Sequence, residues 1–165
     1  MNTSGHRRQA GHSNPRGPAD DGSPVRALIV DDSPSVLKTL ASLLEQQSDV
    51  QLIGSATDGY AAVRRALELS PDLVLMGSQL PGINGLEVTR QIKARPQAPT
   101  VILVTADDTP RCRAAARAAG TDGFVGKQHL STQPRPVIRK LFPAKRNAEH
   151  RNQADQPHNH KPNPR

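Results

Sequence analysis

The stretch PDLVLMGSQLPGINGLE, residues 71–87, reads as a strand, a turn and a helix start. Leu73, Val74, Leu75 and Met76 form an unbroken apolar run, the pattern of a strand buried on both faces of a parallel sheet rather than on one. Pro81-Gly82 then turns the chain. Asn84, with Glu87 three residues on, predicts the N-terminus of a helix. The strand ends in Gly77 and Ser78, which is where a fold of this design places its chemistry.

Outward from this segment the same alternation recurs. RALIV (26–30), VQLIG (50–54), TVILV (100–104) and DGFVG (122–126) predict four more strands, and amphipathic stretches lie between them. Ser33 and Pro34 predict the start of a helix over 34–47, with Leu37, Leu40 and Leu44 on one face. Asp58 predicts the cap of a second helix carrying Val63, Ala66 and Leu67, and Thr109-Pro110 opens an Ala/Arg-rich helix that ends at Gly120. A last helix is expected over 136–142. Strands alternating with helices predict an α/β, flavodoxin-like, doubly wound sheet of five parallel strands in the order 2-1-3-4-5, with helices on both faces.

Nearly all large aliphatic residues lie between positions 25 and 142, which is expected to be the one folded domain. Residues 1–24 and 143–165 contain too little apolar surface to offset chain entropy and are expected to be disordered tails, the second of them basic. The net charge of +7 is spread over the three segments without a dense basic block. With few aromatics to stack on bases, nucleic-acid binding is not expected. His150, His158 and His160 sit in a tail and are not expected to hold a metal. One cysteine, Cys112, excludes an intrachain disulfide. With no signal-peptide pattern and no membrane-length apolar run, a cytoplasmic location is expected.

Ligands in such sheets bind at the carboxyl ends of the strands. There the sequence places Asp31 and Asp32 after strand one, Gly77 after strand three, Thr105 after strand four and Lys127 after strand five. Adjacent carboxylates repel unless a hard cation such as Mg²⁺ neutralises them, and a hydroxyl with an ammonium suits a phosphoryl group. Taken singly, each residue could be a helix cap or a solvated charge. Their joint position at four strand ends favours a site.

The motifs LIVDDSPSV, PDLVLM, LPGINGLEV, VILVTAD and AAGTDGFVGK resemble the receiver domains of bacterial two-component response regulators, over residues 25–142. The resemblance implies that Asp31 and Asp32 bind Mg²⁺, that Thr105 and Lys127 answer a phosphoryl group, and that Phe124 is the aromatic switch residue. It also implies phosphate transfer from a histidine kinase to an Asp at the end of strand three. That position, four residues before Pro81, is Gly77. Glycine can neither attack a phosphohistidine nor ligate a metal, so the resemblance implies a degenerate module, not an enzyme, with weak or absent Mg²⁺. Ser78 is expected to point away by strand alternation. Lys127 is then expected to pair with Asp31 or Asp32.

The expected function is phosphorelay signalling by a single-domain receiver without a DNA-binding domain, through a protein partner such as a histidine kinase or a downstream effector. The alternative is an active phosphoacceptor in which Gly77 is an artefact or another residue substitutes. A flavin or nucleotide enzyme on the same fold is not expected, because the sequence has no phosphate-cradling glycine loop after strand one. Gln128 rather than proline follows Lys127, and Pro134 and Pro136 disturb the region of the fifth helix. Because the tails are so polar, deleting residues 1–22 and 146–165 should leave the melting temperature within a few degrees in a thermal melt. A collapse in stability would place the domain boundary elsewhere.

Overall fold

In the computed structural model, residues 23–132 are described. Five parallel strands, β1 (Val25–Val30), β2 (Val50–Ala56), β3 (Leu73–Gly77), β4 (Thr100–Thr105) and β5 (Gly123–Gly126), form one sheet in the order β2-β1-β3-β4-β5. The helices are α1 (Pro34–Glu45), α2 (Gly59–Leu69), α3 (Gly85–Lys93), α4 (Pro110–Ala118) and a short α5 (Gln128–Thr132). The expected flavodoxin-like topology is the one observed. Every residue of β3 is buried, as its apolar run requires of a central strand.

Alternation along the strands divides the apolar residues between two cores. Ala27, Ile29, Leu73, Leu75, Ile102, Val104 and Val125 meet Leu40, Leu43 and Leu44 of α1 and Leu130 of α5 on one face. On the other, Leu28, Val30, Val74, Met76, Val101 and Leu103 meet Ala62 of α2, Val88 and Ile92 of α3, and Ala116 of α4. The bulge that shifts the β1–β2 register between Ala27 and Leu28 lies on the sheet's β2 edge, away from the site.

Helix starts follow their caps. Asp58 Oδ1 accepts from the Ala61 N–H at 2.8 Å, Asn84 Oδ1 from the Glu87 N–H at 3.0 Å, and Thr109 Oγ1 from the Cys112 N–H at 3.2 Å. The Glu87 carboxylate turns to Arg90 and Gln91, whose hydrogen bonds hold it below the usual carboxylate range, so it does not close the reciprocal capping box.

Several expectations are corrected. Helix α1 ends at Glu45, and Ser33 occupies its N-cap position without a side-chain cap, its hydroxyl bonding Ser35 Oγ instead. Leu67 is 52% exposed: α2 presents Ala62, Val63, Ala66 and Leu69 to the sheet, and Leu67 lies off that stripe. Gly77 and Thr105 are the last residues of their strands rather than the first beyond them. A helix begins at Gln128, directly after β5, where none was expected. The helix expected over 136–142 lies outside the described residues, as do most of both tails.

Candidate functional site

The parallel register brings the site together. Val30 pairs with Met76, which sets Asp31 beside Gly77, and Gly77 pairs with Val104, which sets Ser78 beside Thr105. Thr105 in turn pairs with Gly126, and Lys127 follows. The Lys127 N–H donates to the Thr105 carbonyl at 2.7 Å, so the start of the β5–α5 connection is tied to the end of β4. Of the residues named from sequence, Asp31, Gly77, Thr105 and Lys127 converge at the sheet's carboxyl edge. Asp32 is exposed, and Phe124 lies within β5, three residues before Lys127.

Asp31 is fully buried. Its Oδ1 accepts from the Ser33 N–H at 3.0 Å, and its Oδ2 faces Lys127 Nζ at 2.6 Å. The Oδ2 atom has the ammonium as counter-charge but no hydrogen bond of good geometry. A buried carboxylate without a counter-charge is strongly unfavourable, so Lys127, itself 23% exposed at the side chain, neutralises Asp31 across the end of β3.

Gly77 makes this contact possible. A Cβ built on Gly77 would lie 2.7 Å from Asp31 Oδ2 and 3.0 Å from the Val30 carbonyl oxygen. The Asp31 carboxylate therefore crowds the space that a side chain on β3 would need. The β3–α3 loop closes under the same residue. The Gly85 N–H donates to the Ser78 carbonyl at 3.0 Å, and Gly85 packs so closely on the Gly77 carbonyl that any Cβ there would clash with it.

Ser78 points away from the Gly77 side, as alternation requires, and it lies opposite Thr105 in the register, where its hydroxyl donates to Thr105 Oγ1 at 2.8 Å. The Asp107 N–H donates to the same oxygen at 3.1 Å. Thr105, only 1% exposed, is thus held from both β3 and the β4–α4 loop. Arg113 of α4 ion-pairs with Asp108 and lies over the Phe124 ring, its guanidinium carbon 4.6 Å from the ring centroid. Neither the Ser78–Thr105 contact nor Arg113 was found from sequence, since nothing in the local pattern reports contacts between separate elements.

Asp31 and Asp32 are the side chains that could hold Mg²⁺. They fit it poorly as arranged, because the buried Oδ2 of Asp31 is turned to Lys127 and β3 supplies no third carboxylate. Among the described residues no group of three or more His, Cys, Asp or Glu side chains is placed to hold a metal ion. One missing unit charge ~4 Å from a cation is worth on the order of 4 kcal/mol at an effective dielectric of ~20, before desolvation.

The fold defines a flavodoxin-like module with Asp31, Thr105 and Lys127 gathered at the carboxyl edge of its sheet. Residues 27–134 match the response regulator receiver domain, and the chain belongs to that family. It is 38% identical over 122 residues to a protein-glutamate methylesterase/protein-glutamine glutaminase of Anaeromyxobacter dehalogenans, covering 72% of this chain and 33% of that protein. It is 43% identical over 81 residues to the transcriptional regulatory protein LiaR of Bacillus subtilis, covering 49% of this chain and 38% of that protein. The chain thus spans about a third of the length of these relatives. The response regulator domain of Thermotoga maritima CheB superposes with a TM-score of 0.67 at 27% identity, covering 73% of this chain and 96% of that one. Among the described residues, no helix is long and apolar enough to cross a membrane.

The ion pair makes a direct prediction. Replacing Lys127 by Met should destabilise the protein by roughly 3 kcal/mol, the low end for a broken buried pair because Lys127 keeps some exposure. Asp31→Asn added to that variant should recover much of the loss in denaturant unfolding. A Lys127→Met variant as stable as the parent would show that Asp31 does not depend on Lys127.

Proposed function

We propose that this receiver takes part in two-component signalling by binding a protein partner, without phosphorylation at the end of β3. The observation that carries the reading is Gly77 at the acceptor position, with Asp31 leaning over it and already neutralised by Lys127. No side chain is present there to form an acyl phosphate. The ammonium that would stabilise the phosphoryl group is engaged with Asp31. In this reading Asp31 and Asp32 are a weakened Mg²⁺ site, Thr105, Lys127 and Phe124 form the switch surface, and the chain has no enzymatic step.

A partner can shift the balance between two conformations only by binding one of them better. With no phosphoryl group to do so, the resting sequence and the partner together set the population. A histidine kinase or a downstream effector is the class of protein expected to bind. Charge does not favour nucleic acid as a ligand of the described residues, whose acidic and basic side chains are equal in number. The methylesterase and transcriptional roles named for the relatives belong to proteins of which the match covers about a third, and neither is assigned to this chain.

The alternative reading, an active phosphoacceptor, is favoured by the presence of Asp31, Asp32, Thr105 and Lys127. Treatment with a small-molecule phosphodonor separates the two. The natural chain should take up no hydroxylamine-sensitive phosphate. Gly77→Asp should do so only with Mg²⁺, since the new side chain must first displace the Asp31 carboxylate and a cation rewards that rotation. Stoichiometric acyl phosphate on the natural chain would overturn the proposal.

A further inference from the structure

Thr105 Oγ1 accepts two hydrogen bonds, one from the hydroxyl of Ser78, the residue after β3, and one from the Asp107 N–H of the β4–α4 loop. A hydroxyl has two acceptor sites, so both are taken here and the oxygen bridges the two segments. From Asp107 the bonds continue without a gap. Its Oδ1 accepts from the Thr109 N–H at 3.0 Å, and Thr109 Oγ1 accepts from the Cys112 N–H in the first turn of α4. Arg113, the next residue, pairs with Asp108 and covers the Phe124 ring. The path runs from the residue beside Gly77 to the aromatic side chain of β5.

We propose that Ser78 is a positioning residue: by donating to Thr105 Oγ1 its hydroxyl ties Thr105 to the end of β3 and thereby fixes the β4–α4 loop and Phe124 in one arrangement. The inference rests on reading Thr105 and Phe124 as the switch surface, and it adds how that surface is set when no phosphate is bound. A serine can do this because the parallel register sets position 78 opposite Thr105 on the same face of the sheet, placing Ser78 Oγ 2.8 Å from Thr105 Oγ1. Alanine at position 78 would leave Thr105 anchored to the loop but not to β3.

The test is amide hydrogen exchange and aromatic NMR on the full chain, without phosphodonor or Mg²⁺, so that its outcome is independent of phosphate uptake. Ser78→Ala should accelerate exchange at the Asp107, Thr109 and Cys112 amides roughly fivefold to tenfold relative to amides of β1 and β3, as expected for the loss of one anchoring bond. It should also shift the Phe124 ring signals. Ser78→Thr, which keeps the hydroxyl, should restore the parent behaviour. Thr105→Val, which also removes the acceptor of the Asp107 N–H, should accelerate the loop at least as much, and adding Ser78→Ala to it should change little further. An unchanged loop in Ser78→Ala, or equal acceleration in loop and strands, would overturn the proposal. So would a loop that responds to Thr105→Val but not to Ser78→Ala.

Discussion

A fully buried carboxylate must have a counter-charge, and Asp31 takes its own from Lys127 across the end of β3. That contact depends on the parallel register, which sets Asp31 beside Gly77 and brings the start of the β5–α5 connection against Thr105. It also depends on Gly77, because a side chain there would meet Asp31 Oδ2. The site is therefore closed on itself: its acid and its base satisfy each other, and its hydroxyl is held by Ser78.

The consequence for signalling follows from what is already neutralised. A receiver pocket that answers phosphate needs a carboxylate to carry it, a cation to screen it, and a free ammonium and hydroxyl to respond. Here β3 ends without the carboxylate, the Lys127 ammonium is paired with Asp31, and the Thr105 oxygen already accepts two hydrogen bonds. The fold can persist with such a site because a glycine at the strand end adds no third negative charge beside Asp31 and Asp32, which works against its backbone entropy cost of about 0.5–1 kcal/mol.

Much of this was legible in the sequence where a physical rule acts locally. The apolar run of β3, the caps at Asp58, Asn84 and Thr109, and the strand-helix alternation gave the elements and their order. The residues at the strand ends could be named because parallel strands place their carboxyl ends together. What failed was non-local or at an edge. Alternation turned Ser78 from the Gly77 side but said nothing of the Thr105 hydroxyl it would meet, and Leu67 was assigned to a core stripe that Leu69 fills. The short α5 has neither a capping signal nor enough length for a periodic pattern, so it was not seen. The Arg113 contacts join a helix, a loop and an edge strand, a combination no sequence window contains.

The central claim is that the pocket is self-satisfied and does not accept a phosphoryl group. Titrating isotope-labelled protein with beryllofluoride and Mg²⁺, while following the amide signals of Gly77, Thr105, Gly126 and Lys127, tests this without relying on any partner. The account predicts no saturable shift at these positions in the natural chain. A saturable, Mg²⁺-dependent shift centred on Thr105 and Lys127 would show that the pocket still opens to a phosphoryl mimic, and would contradict it.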